Sequence, residues 1–205
     1  MKISDTKPLY TLLTLLFIGF SAAKAQDTTK RHWLVPSSVV IQHAGSIGYF
    51  SVSAGYYLNK SHNMSLDLGY GYVPAKFGGD LNIVSGKFIW RPFSFDVKDW
   101  GSIRPFNPGF MLSYHAGSDF DSSWDDDEYP EGYYWWSTAI RPHILFGTEI
   151  VLNAKKIFPK TKLKSLTLYS EFNTNELYAV SYFQNRHDLT LRKIFKLGLG
   201  ARIAF

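Results

Sequence analysis

The chain has 205 residues, no cysteine, and 16 Phe, 13 Tyr and 6 Trp, yet its mean hydropathy is only −0.13. So many aromatics at near-neutral hydropathy mean that apolar residues are interleaved with polar ones; no run of 18 apolar residues exists, which excludes a polytopic helical membrane protein. The aromatic content excludes a disordered chain, and zero Cys excludes a disulfide scaffold, a Cys-ligated zinc site and a Cys nucleophile.

Residues 1–25 read as a secretory signal peptide. Lys2 and Lys7 precede the apolar run Leu9–Phe20, and the small-residue exit Ala23-Lys24-Ala25 places cleavage after Ala25. That run is too short to span a bilayer as a helix, and no Cys follows for a lipid anchor. Cleavage removes Lys2, Lys7, Lys24 and Asp5 and takes the net charge from +5 to +3. A charge that small predicts no nucleic-acid partner.

From about residue 34 the dominant period is two. In Met64–Tyr72 every even position is apolar or aromatic and every odd one is Ser, Asp or Gly. In the last stretch Phe195, Leu197, Leu199, Ala201, Ile203 and Phe205 share one face. Strict alternation of this length predicts long strands with one apolar and one polar face. The template gives eight strands, near 34–43, 46–58, 62–73, 80–92, 102–117, 134–152, 163–173 (with a possible continuation through 177–184) and 193–205. Most exceed the five or six residues usual in soluble sheets and match the 9–11 that a tilted strand needs to cross a bilayer. The expected fold is all-β: an eight-stranded antiparallel transmembrane barrel, residues 26–205, with a filled lumen and both termini at the periplasmic end. Connections 59–62, 93–101 and 153–162 then lie inside, and 118–133 and 185–192 outside; the basic connection 153–162 is long for an inside turn.

The chain's end, Gly200-Ala201-Arg202-Ile203-Ala204-Phe205, resembles the signal by which Gram-negative outer-membrane barrels are recognised by the barrel assembly machinery, with Gly200, Ile203 and Phe205 at the matching places. Together with the leader and the strand count, this makes the mature chain similar to small outer-membrane β-barrels. The resemblance implies an outer-membrane location, with lipid and lipopolysaccharide as surroundings.

If the apolar face looks at lipid, the other face fills the lumen. That parity selects Asp67, Lys87, Arg91, Arg141, His143, Glu149, Tyr169, Glu171, Lys196 and Arg202, expected to meet as a mixed-sign network because eight strands leave room only for side chains. Aromatics at Tyr56-Tyr57, Tyr70, Tyr72, Trp90, Trp100, Tyr133–Trp136, Tyr178 and Tyr182 read as interfacial girdles. The segment 118–131 carries seven acids and no base, and Asp125, Asp126, Asp127 and Glu128 are its candidate cation ligands; the Gly-centred calcium-loop spacing is missing, so a solvated outer loop is expected.

The strand plan, and Ser102–Phe106 ahead of an outer loop, also resemble the lipid A deacylase barrels. That family's catalytic His stands two residues before its Ser; Leu168-Tyr169-Ser170 has no such His, and a serine without a base is not an activated nucleophile. The remaining catalytic candidates are Ser113 and His115, whose Cα atoms stand about 7 Å apart on one face of a strand, long for a direct hydrogen bond. No cofactor is expected. The sequence reading is thus a structural or surface-interacting outer-membrane barrel without a transport pore. A lipid A or phospholipid acyl hydrolase is the alternative, and a lipocalin-like carrier with its apolar face inward is a third.

Overall fold

The computed structural model describes residues 34–77, 80–116 and 139–205. The predicted signal peptide (residues 1–25), the acidic segment with Asp125–Glu128, and Tyr133–Trp136 lie outside the described residues.

Among the described residues nine strands form: β1 Ser38–Ala44, β2 Phe50–Tyr57, β3 Met64–Val73, β4 Leu81–Trp90, β5 Phe95–Val97, β6 Gly101–Ala116, β7 Ile140–Asn153, β8 Ser165–Asn175 and β9 Lys196–Ala204. Eight of them close a ring. Strands β1, β2, β3 and β4 pair antiparallel in order, β4 pairs with β6, β6 to β9 follow in order, and β9 returns to β1 with Ser38 opposite Ala204. The fold is a closed eight-stranded antiparallel β-barrel.

The ninth strand was not anticipated. Asp96 pairs with Ser102, so β5 and the start of β6 make a short hairpin from what reads in the sequence as a plain connection. A register shift between Arg104 and Asn107, at Pro105 in β6, lets β6 switch neighbours from β5 to β4. A second difference lies beyond β8: the possible strand 177–184 is instead helix α2, Glu176–Gln184, preceded by the four-residue turn α1, Ala154–Ile157, and followed by α3, Leu191–Ile194. Asn175 caps α2 by accepting from the Tyr178 N–H, with Glu176 in the first turn, so the local capping chemistry overrides any continuation of the strand.

Both described chain ends lie at one end of the barrel, with connections 58–63, 91–100 and 154–164; this is the turn end. The opposite strand ends, at Ala44 and Phe50, Val73 and Leu81, Ala116 and Ile140, and Asn175 and Lys196, lie at the other, the loop end.

Burial follows the period of two. Outward positions such as Ile41, Val52, Leu68, Val84, Phe110, Ile144, Leu168, Phe172 and Leu199 stay between 40% and 59% exposed. The inward positions Ser38, Gln42, Ser65, Asp67, Lys87, Arg91, Glu149, Glu171 and Arg202 are buried. An inward-apolar carrier would show the opposite pattern. Among the described residues the buried apolar cluster is Ile47, Ile89, Met111 and Leu145, with Val40 and Ile83 buried elsewhere on the inward face.

Candidate functional site: the charged lumen

The lumen is built in three tiers by strand register. Nearest the turn end, Arg202 on β9 grips Asp67 on β3 through two parallel bonds of 2.9 and 2.8 Å and donates to Ser38 Oγ at 3.1 Å. Beside this pair, Arg91 Nε bonds Glu149 Oε2 at 2.7 Å, Arg91 Nη1 donates to Ser65 Oγ at 2.9 Å, and Arg104 reaches the same carboxylate oxygen at 3.3 Å. Two-pronged guanidinium–carboxylate contacts fix orientation as well as charge. The backbone makes room for them: a Cβ on Gly55 would stand 2.3 Å from Ser38 Oγ and 2.6 Å from Arg202 Nη1.

In the middle tier Lys87 Nζ reaches both Glu171 oxygens at 2.9 Å and Gln42 Oε1 at 2.7 Å. The Gln42 amide donates back to Glu171 at 3.0 Å, and the Tyr169 hydroxyl donates to Gln42 Oε1 at 2.8 Å. One lysine, one glutamate, one amide and one phenol therefore satisfy each other across β1, β4 and β8. The Tyr169 ring packs over Gly200, where an added Cβ would lie 2.3 Å from ring carbon Cζ. Gly200, read in the sequence as part of an assembly signal, thus also has a packing reason to be glycine.

The upper tier joins residues that spacing could not. Ser113 Oγ lies 3.0 Å from His143 Nε2 and 3.2 Å from His115 Nε2. The i, i+2 spacing makes a direct Ser113–His115 contact long but within reach, and a histidine side chain leaning along the strand closes the gap. The nearer histidine, His143, is brought in by register. Ser113 faces Arg141, so His143 is the diagonal inward neighbour. At the rim Arg141 Nη1 bonds Glu176 Oε1 of α2 at 2.7 Å.

Ser113 and His143 are each 1% exposed, so the hydroxyl is buried with its histidine partners on the inward face. Lys196 is a further correction: it has lumen parity, but β9 begins there above the tiers, and its exposed ammonium stands 4.9 Å from the Tyr178 ring. Tyr57, expected in a girdle, stacks on His62 at 4.3 Å and carries Arg202 5.9 Å from its ring centre. Between the lower and middle tiers, a cavity lined by Ile89, Asn107, Leu145, Glu149, Tyr169 and Glu171 has only about 10 Å³, at the lower limit for a single water. No group of three or more His, Asp or Glu among the described residues is arranged to hold a metal.

No family model matches the chain, and no curated protein matches it. Among solved structures, one from "De novo design of transmembrane beta-barrels" is similar at 13% identity with a TM-score of 0.37, covering 86% of this chain and 100% of that one. The barrel assignment rests on the strand pairing itself.

Proposed function

We propose that this protein is an integral outer-membrane barrel with a closed lumen, whose role is structural or interactive at its surface rather than in transport. One observation carries the reading: the barrel strands turn large apolar side chains outward and most of their charged and small side chains inward, beside a few buried apolar ones such as Ile89, Met111 and Leu145. Monomeric soluble proteins rarely expose a continuous apolar surface, whereas a barrel in hydrocarbon requires one. The absence of a long apolar helix is no objection, because barrels cross with strands. Tyr70, Tyr72 and Tyr114 toward the loop end, and Trp90 and Trp100 toward the turn end, fit two interfacial girdles at the edges of the apolar band. The outer-membrane location is drawn from the residue 1–25 leader and the Gly200–Phe205 ending. The tiers of ion pairs, with a cavity of about 10 Å³ between the lower and middle ones, support a lumen without a pore.

The test is fractionation of cells expressing the full chain, with gel migration compared before and after heating. Recovery in the outer-membrane fraction, with a folded form that migrates faster until boiled, is expected. Recovery in the soluble fraction sinks the reading.

The Ser113–His143 contact keeps an acyl hydrolase as the second reading, since a serine within reach of an imidazole is the minimum for nucleophilic catalysis. Its burial favours a hydrogen-bonding role within the lumen. Mass spectra of lipid A from strains with and without the gene separate the two: an acyl-chain difference abolished by Ser113→Ala would reverse the order.

A further inference from the structure

At the turn end, below the lumen tiers, the β5–β6 hairpin, the end of β7 and the start of β8 enclose an open basin of about 540 Å³. Its size is that of a small-ligand site. Lys98, Lys155 and Lys164 line it together with Asp96 and Asp99. The three lysines have no ion pair or side-chain hydrogen bond among the described residues, and neither does the Asp96 carboxylate; Asp99 is taken by Lys156 at 3.3 Å. Three lysines thus line a space beside one uncommitted carboxylate, with Ser102 and Ser165 also in its lining. The positive field reaches beyond the basin. His62, on the β2–β3 turn, has its imidazole held below its ordinary pKa first by burial and then by Lys164 and Arg104.

A simple anion would use the lysines but meet Asp96 as a repulsive neighbour. A cation would meet three like charges. A ligand carrying both signs, with the larger charge negative, satisfies all four groups. We propose that the basin binds a phosphoethanolamine headgroup, its phosphate on Lys98, Lys155 and Lys164 and its ammonium on Asp96. The membrane reading above bears only on the source of that headgroup, which is a phospholipid of the adjoining leaflet if the barrel is embedded.

The test uses the full mature chain refolded in a maltoside detergent, which carries neither phosphate nor charge. Glycerophosphoethanolamine, glycerophosphoglycerol, glycerophosphocholine and inorganic phosphate are titrated calorimetrically. Glycerophosphoethanolamine should bind about tenfold more tightly than the other three, the effect of one charge-assisted hydrogen bond. Asp96→Asn should erase that preference, and the pair Lys98→Ala and Lys164→Ala should weaken every phosphate probe, with gel mobility before heating confirming that each variant folds. Equal affinity for all four probes, or a preference that survives Asp96→Asn, overturns the proposal. A rise in melting temperature in phosphatidylethanolamine vesicles over phosphatidylcholine vesicles, lost in Asp96→Asn, assigns the lipid as source; ester binding without that rise assigns a soluble ester. Because the titration needs no membrane, a failure of the localisation experiment leaves its result standing.

Discussion

Replacing Arg202 by Met should strand a carboxylate in the lumen. Asp67 and Arg202 are each 2% exposed and joined by bonds of 2.9 and 2.8 Å. With charge centres about 4 Å apart and an effective dielectric near 20, their attraction is about 4 kcal/mol. Removing one member of a buried pair elsewhere costs about 3–5 kcal/mol, because the survivor keeps its desolvation penalty and loses its compensation. The nearest alternative cations do not rescue Asp67: Lys87, its register partner, is held by Glu171 and Gln42, and Arg91 by Glu149. Arg202→Met should therefore destabilise the barrel by about 3 kcal/mol or more, and Asp67→Leu combined with Arg202→Met should recover most of that loss. Urea titration of the barrel in lipid vesicles, followed by tryptophan fluorescence and by the heat-sensitive gel shift, reads both quantities. A single-variant loss under about 1 kcal/mol, or a double variant no more stable than Arg202→Met alone, would refute the claim that this pair is desolvated and mutually dependent.

Three further outcomes check other parts of the structure. Gly200→Val should cost about 1–3 kcal/mol by displacing the Tyr169 ring, measured by the same titration; a neutral result would remove the packing explanation for that glycine. Phe110 lies on the outward face of β6 between Phe88 and Ile144, so Phe110→Arg should cost about 2–4 kcal/mol in vesicles if the band sits in hydrocarbon, against about 0.5 kcal/mol or less for an ordinary surface position. Purified protein in planar bilayers should give no unitary conductance, and steady ohmic steps would contradict a lumen sealed by Lys87, Glu171, Arg91 and Glu149.

The barrel was legible wherever a strand has two chemically different faces. Met64–Tyr72 announces its parity in the sequence, and that parity alone sorts Asp67 inward and Leu68 outward. Chain order and short connections then make neighbours of consecutive strands. The misses came from places where the period of two is silent. The hairpin of β5 is three residues long, too short for any pattern. In 176–184 the capping pair Asn175 and Glu176 was the available signal, and aromatic content alone pointed the other way. Lys196 obeys parity but stands where β9 has already left the lumen, because parity gives a face and not a height. Pairwise partners were the least legible. Which base meets which acid, and that His143 reaches Ser113, depends on a register set partly by the shift between Arg104 and Asn107, which no local pattern encodes.

The division between faces also explains why the chain combines so many aromatics with a mean hydropathy of −0.13. A barrel filled with apolar side chains would need strands apolar on both faces, and such segments associate with one another before they pair correctly. Putting Lys87, Arg91 and Arg202 opposite Glu171, Glu149 and Asp67 keeps each strand half polar, and their mutual pairing offsets much of the cost of burying them. The same pairing makes register matter: a slip of one residue in β9 would turn Arg202 outward and leave Asp67 uncompensated, so the ion pairs select the one closure in which every charge is met. The lower and middle tiers commit their charges to one another in this way, whereas Lys98, Lys155, Lys164 and Asp96, which have no ion pair among the described residues, stand at the turn-end mouth.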